Sequence, residues 1–127
     1  MENLLKFSII FAMVFGVLAA HAADKRTHAV PVMLFPDSDH PLCSIGLQVN
    51  AGGADLRSGP GKEYPVIATF EAGRILLGCD ERHGWDGIVD GHNDTCGLDA
   101  MIAEVTPYSG PCRSGWIDRH NLTSIFG

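Results

Sequence analysis

The segment from Asp55 to Tyr64 constrains the fold of this chain more than any other stretch. It reads D-L-R-S-G-P-G-K-E-Y and leads directly into the apolar run P-V-I-A-T-F. Pro60 fixes its φ angle at about −65°, and Gly59 and Gly61 on either side can take a positive φ without a Cβ clash. The motif therefore predicts a tight structural turn at Gly59, Pro60 and Gly61, with the flanking apolar runs packed closely together.

Short apolar or alternating segments, separated by Gly and Pro, continue on both sides of this turn. In residues 44–50, Ile45, Leu47 and Val49 point one way and polar or small residues point the other, which is the period of a half-buried strand. The predicted strands are residues 44–50, 55–57, 65–70, 74–80, 85–89 and 115–119, and Asn121-Leu122 is predicted to form a turn that plugs one end. This pattern predicts an all-β fold, a small antiparallel barrel of five to six strands.

The N-terminus has the composition of a secretory signal peptide. An apolar run extends from Phe7 to Ala20, and Ala20-His21-Ala22 places small residues at the two positions that a signal peptidase recognises. The run is shorter than the roughly 20 residues that a membrane-spanning helix needs. We therefore expect residues 1–22 to be removed on export, which leaves a periplasmic or secreted protein without a membrane anchor.

The exported part is long enough for one small domain. Residues 23–42 contain three prolines and are predicted to be an extended N-terminal arm, followed by the barrel domain at 43–127. The arm carries an apolar patch, Val30 to Phe35, which would either lie across the domain or pair at a sheet edge. The sequence leaves both alternatives open.

Four cysteines, Cys43, Cys79, Cys96 and Cys112, fall in the exported part. An even number in a small exported domain predicts two disulfides, for which three pairings exist. Metal binding would require ligand pairs at short spacing such as C-x-x-C, which the sequence lacks. Cys96 and Cys112 bracket one long irregular segment, so we predict that they pair with each other and that Cys43 pairs with Cys79.

The formal net charge is −6, without a cluster of Lys or Arg. Nucleic acids and anionic lipid surfaces bind clustered cations, so neither is an expected partner.

The chain resembles bacterial SH3-like (SH3b) domains over roughly residues 44–123. The resemblance rests on the run Leu56-Arg57-Ser58-Gly59-Pro60-Gly61-x-x-Tyr64, then Gly73, Gly84-Trp85, Gly115-Trp116-Ile117 and Leu122. It implies an exported, non-catalytic binding module for a peptidoglycan peptide or an envelope protein. The chain departs from the family in lacking an amidase or peptidase segment and in an inserted segment of about 20 residues at 90–114. Within this insertion, residues 98–105 favour helical turns slightly over a short strand.

Candidate catalytic groups are sparse in this sequence. Oxidised cysteines are not nucleophiles, and no serine lies in a G-x-S-x-G elbow. His83, His92 and His120 are scattered, and the run Asp90-Gly91-His92-Asn93-Asp94 lacks the distal Glu of a calcium loop, so a polar turn is the simpler interpretation. The sequence thus predicts no enzyme activity, no metal and no cofactor.

The predicted ligand-binding residues are Tyr64, Trp85, Trp116 and Arg57. Aromatic side chains form peptide-binding grooves in barrels of this kind, and Asp80, Glu81 and Asp86 could supply an acidic flank by analogy. The alternatives are that the tryptophans fill the core and that Arg57 binds the carbonyl groups of its own turn.

Two functional hypotheses make different predictions. A binding module predicts that Tyr64, Trp85 and Trp116 line one exposed surface. A structural or inhibitory periplasmic protein, acting through the 90–114 loop, predicts that they are buried and that the loop exposes Leu98, Met101 and Ile102.

Overall fold

A computed structural model describes residues 28–127. The predicted signal peptide, residues 1–22, and the first residues of the arm lie outside this range. The described chain contains nine strands and one short 3-10 turn, Arg119–Asn121. The strands are β1 (Met33–Leu34), β2 (Ile45–Val49), β3 (Ala54–Arg57), β4 (Val66–Phe70), β5 (Ile75–Arg82), β6 (Trp85–Asp90), β7 (Thr106–Pro107), β8 (Arg113–Asp118) and β9 (Leu122–Phe126). The all-β class is therefore confirmed.

Seven strands form one antiparallel sheet in the order β4-β3-β8-β6-β5-β2-β9, and β1 pairs separately with β7. The predicted barrel of five to six strands is not formed, because β4 and β9 are the two end strands of an open sheet of seven strands. The hairpin β3–β4 is joined to the sheet through one residue pair, Arg57 with Trp116. The strand β9 lies where the sequence predicted only a turn.

The sheet curls around a hydrophobic core, and each strand contributes to this core the side chains on one of its two faces. This inner core contains nine buried residues: Leu47, Val49, Ala54, Leu56, Phe70, Leu76, Ile88, Ile117 and Leu122. Leu47 and Val49 are buried as the alternation in the first predicted strand requires, whereas Ile45 at its start is exposed. A strongly curved but open sheet thus buries a barrel-like core.

A second core lies on the outer face of β5 and β6. Leu77 and Val89 are neighbours of the inner-core residues Leu76 and Ile88, yet they are buried as well. The outer core consists of Leu34, Leu42, Leu77, Val89, Cys96 and Leu98. The arm and the 90–114 insertion supply this covering layer, so both faces of the central hairpin are buried.

The two disulfides have the predicted pairing, Cys43–Cys79 and Cys96–Cys112. Both border the outer core. The Tyr108 hydroxyl donates to the carbonyl of Cys96 at 2.9 Å and accepts from the N–H of Cys112 at 3.0 Å. Residues 98–105 form bends, so the favoured helical turns in this part of the insertion are wrong. The Cys96–Cys112 disulfide and the hydrogen bonds of Tyr108 fix the conformation of this segment, which lacks regular secondary structure.

Both alternatives for the apolar patch of the arm are realised. Met33 and Leu34 pair with β7, and Val32 lies buried across the outer face. Between His28 and Gly127 no helix is long and apolar enough to cross a membrane.

Candidate functional site

Trp116 lies on the outer face of β8 and is fully buried, whereas its neighbour Ile117 points into the inner core. The arm covers it. The indole N–H donates to the carbonyl of Val30 at 2.8 Å, and the N–H of Val30 donates to the carbonyl of Ser58 at 2.8 Å. The Arg82 guanidinium lies 5.4 Å from the centre of the indole ring, within cation–π distance. The chain's own extended segment thus occupies the surface on which Trp116 would meet a ligand.

The other two aromatic residues are half-buried. Trp85 begins β6 opposite Arg82 and Asp118. Tyr64 lies in the turn before β4, with its ring over Gly59. An exposed surface lined by all three aromatics is therefore not what the fold presents, because Trp116 is covered.

Arg57 binds the turn that it precedes. Its Nη1 group donates to the carbonyls of Lys62 and Tyr64 at 3.3 and 2.9 Å. Gly59 and Gly61 both lack a positive φ, contrary to the expected use of these glycines. They are required for close contact instead, since a Cβ at Gly59 would overlap the Tyr64 ring and one at Gly61 would meet the Glu63 carboxylate.

A cleft of about 310 Å³ opens beside the arm, at the end of the sheet where β5 turns into β6. Its apolar rim includes Phe35 and Ile45, whose exposed fractions are 50% and 47%. Three carboxylates also line it, those of Asp80, Glu81 and Asp86. The cleft thus combines exposed apolar side chains with clustered acids, the two features that the sequence placed on separate segments.

The carboxylates differ in how far they are neutralised. Asp80 accepts from the N–H of Met33 at 3.0 Å and pairs with Arg82, and its side chain is 4% exposed. Arg119 pairs with Glu81 at 2.6 Å and with Asp86 at 3.2 Å. These two carboxylates, Glu81 first, raise the pKa of the Arg119 guanidinium above its usual value. Three acids against two arginines leave one excess negative charge at the cleft, and Glu81 is the exposed acid.

The register of the sheet creates this cleft. Cys79 is an extra residue in β5, because Gly78 pairs with Ile88 and Asp80 pairs with Gly87. The bulge turns Asp80 toward the arm, where it receives the Met33 N–H. No local pattern in the sequence indicates that Phe35 and Ile45 lie beside these acids, since their proximity depends on the path of the arm.

The remaining polar clusters have structural partners. Asp90 pairs with Arg74 and Arg113, and the ring Nδ1 of His120 lies 2.8 Å from Asp118. Across residues 28–127 no group of three His, Cys, Asp or Glu side chains has the arrangement of a metal site.

A search of protein-family models finds no match to this chain. Comparisons with curated proteins and with solved structures also find no match. The resemblance to SH3-like domains therefore stays a prediction, and the functional argument rests on the site itself.

Proposed function

We propose that this protein is an exported, non-catalytic SH3-like binding module that recognises a cell-wall peptide or a peptide segment of an envelope protein. Support for the module class comes from the all-β fold, with a 3-10 turn between β8 and β9, and from the sequence motif around Gly59. Support for export comes from the signal-peptide composition and from two disulfides, which persist in oxidising compartments.

The observation that carries the proposal is the cleft beside the arm. Phe35 and Ile45 offer an apolar rim, and Glu81 lies at the same cleft with the local excess of negative charge. A peptide with an apolar side chain next to an ammonium group matches both features. Cell-wall peptides carry free amino groups of this kind, so they are the ligand class we favour.

Co-sedimentation of the purified exported domain with insoluble peptidoglycan tests this function. We expect the wild-type domain to pellet with the wall material and Glu81→Gln to pellet less, because the substitution removes the exposed charge but keeps the side-chain size. The loss should be greatest at low salt, since exposed charges are screened over about 10 Å at 0.1 M. If the wild-type domain does not pellet above background at any of the salt concentrations tested, including the lowest, the wall ligand is ruled out.

A second candidate function is supported by the insertion. Met101 is 92% exposed and Val105 is 49% exposed, on a loop that the Cys96–Cys112 disulfide holds. This is the surface that a structural or inhibitory periplasmic protein would use, although Leu98 is buried beneath it.

The variant Met101→Ser separates the two functions. Wall binding through the cleft should be unaffected by this change and reduced by Glu81→Gln. The opposite pattern, with binding lost only in Met101→Ser, would assign the interaction to the loop.

A further inference from the structure

The far end of β6 carries a buried carboxylate between two arginines. Asp90 ends this strand, and its side chain is 7% exposed. Arg74 donates to one carboxylate oxygen through Nη2 at 2.7 Å and Nε at 3.1 Å, and Arg113 donates to the other through Nη2 at 3.1 Å. Because a single buried acid binds both guanidinium groups, their positions are fixed relative to each other.

Asp90 does not use all of the donors of the two arginines. A guanidinium group has five N–H donors, and both side chains are about half exposed, at 53% and 51%. Three guanidinium nitrogens have no hydrogen-bond acceptor within the described chain: Nη1 of Arg74, and Nε and Nη1 of Arg113. The Arg113 guanidinium also lies over the Phe70 ring, 4.9 Å from its centre, which further restricts its motion.

These donors border a cleft of about 320 Å³, lined by Thr69, Phe70, Glu71, Ala72, Arg74 and Arg113. The two arginines are offset by Asp90, which binds both of them, and by Glu71 in the cleft lining, so the site is close to neutral in a chain whose net charge is −6. Among the ion pairs of residues 28–127, none joins Glu71 to either arginine.

We propose that Arg74 and Arg113 form a binding site for a carboxylate group. A carboxylate is planar and can accept from two guanidinium groups at once. A carboxylate brings one negative charge to the two guanidinium groups, whereas a phosphate dianion brings two and is repelled more strongly by Glu71 in the cleft lining. The site lies at the opposite end of β6 from the acidic cleft and is independent of the function proposed there.

Chemical-shift mapping of the backbone amides tests the site directly in the wild-type domain. The probes are N-acetyl-dialanine, the same peptide as its C-terminal amide, acetate and inorganic phosphate, compared at equal ionic strength. The free acid should shift the amides of residues 69–74 and 113 and the amide probe should not, with saturation by about 10 mM. Equal shifts with both peptides, no shifts with any carboxylate, or tighter binding of phosphate would overturn the proposal.

The measurement with acetate distinguishes between possible natural sources of the carboxylate. Similar affinity for acetate and for the peptide acid would indicate a small free acid, and tighter binding of the peptide would indicate a chain terminus. Both results support a carboxylate site.

Variants provide the second test. Arg113→Lys keeps the charge but loses the planar fork, so we expect about tenfold weaker binding. Glu71→Gln should strengthen binding, since it removes the competing charge. Lys62→Gln is the matched control for Arg113→Gln, because each removes one positive charge and only the latter lies at the site. Equal effects of these two variants, in domains with unchanged circular dichroism, would mean that net charge alone is responsible.

Discussion

At the scale of single residues, close contact decides where glycine is needed in the central turn. Gly59 is buried against the Tyr64 ring, and Gly61 lies against the carboxylate of the flexible, exposed Glu63. The sequence predicted the turn from the G-P-G pattern but gave positive φ as the reason. The contact of a glycine with a side chain two or five positions further along cannot be read from local propensity, which is why this reason was wrong.

The two glycines should therefore differ when each is replaced by alanine. We expect Gly59→Ala to lower the free energy of unfolding by about 1–3 kcal/mol, because the Tyr64 ring has to move. Gly61→Ala should have a small effect, since Glu63 can turn aside into solvent. Urea denaturation of the two variants measures the difference, and equal losses would contradict the contact argument.

A second prediction at this scale concerns pH. The backbone N–H of His120 donates to Asp118, and this is the main cause that holds the pKa of Asp118 below its ordinary value of 3.8. A depressed pKa in the folded state adds stability above pH 3.8 that is lost as the pH falls through the folded-state pKa.

We therefore expect wild type to exceed Asp118→Ala in its urea midpoint near neutral pH, and the gap to narrow below pH 3.8. A gap independent of pH between about 2.5 and 6 would show that the charge of Asp118 is not responsible.

At the scale of elements, the arm behaves as part of the sheet's covering layer. Its Val30 exchanges hydrogen bonds with Ser58 and the Trp116 indole, and Met33 donates to Asp80. The sequence indicated that the apolar patch would not remain in water but could not say where it would lie. The hydrogen bond between Trp116 and Val30 joins residues 86 positions apart, and a local sequence pattern does not indicate contacts over such a separation.

Trp116→Phe should loosen this contact because it removes the indole N–H and leaves the Val30 carbonyl without its donor. We expect a loss of about 1–3 kcal/mol in the free energy of unfolding. Faster amide hydrogen exchange at Val30 and Met33 should accompany it. Trp85→Phe is the matched control, since the same ring change there should leave exchange in the arm unaffected; equal acceleration in both variants would contradict the assignment.

At the scale of the whole molecule, two cores share one hairpin. Ile88 and Val89 are consecutive residues of β6, so their side chains point to opposite faces of the sheet. Both faces are core because the arm and the insertion cover the outer one. The fold class and the disulfide pairs were predictable from local signals and cysteine spacing. The outer core and the acidic cleft were not, since each depends on segments that carry no period of their own.

The disulfides contribute differently to this arrangement. The loop-entropy model gives about 3 kcal/mol for the separation of 16 residues between Cys96 and Cys112, and about 0.7 kcal/mol more for the separation of 36 between Cys43 and Cys79. Cys96 is also fully buried in the outer core.

We therefore expect the double variant Cys96→Ala, Cys112→Ala to lose at least as much stability as Cys43→Ala, Cys79→Ala. Denaturation without reductant measures both. A clearly smaller loss for the first pair would mean that loop length alone sets the contribution.

The position of Cys43 has a consequence for proteolysis. Residues 35–41 are all exposed, and they lie before the cysteine that anchors this region to β5. A single cut there would leave both cross-links intact, yet the severed N-terminal peptide would be retained only by non-covalent contacts. Dissociation of this peptide after a single cleavage would expose the indole of Trp116 to solvent.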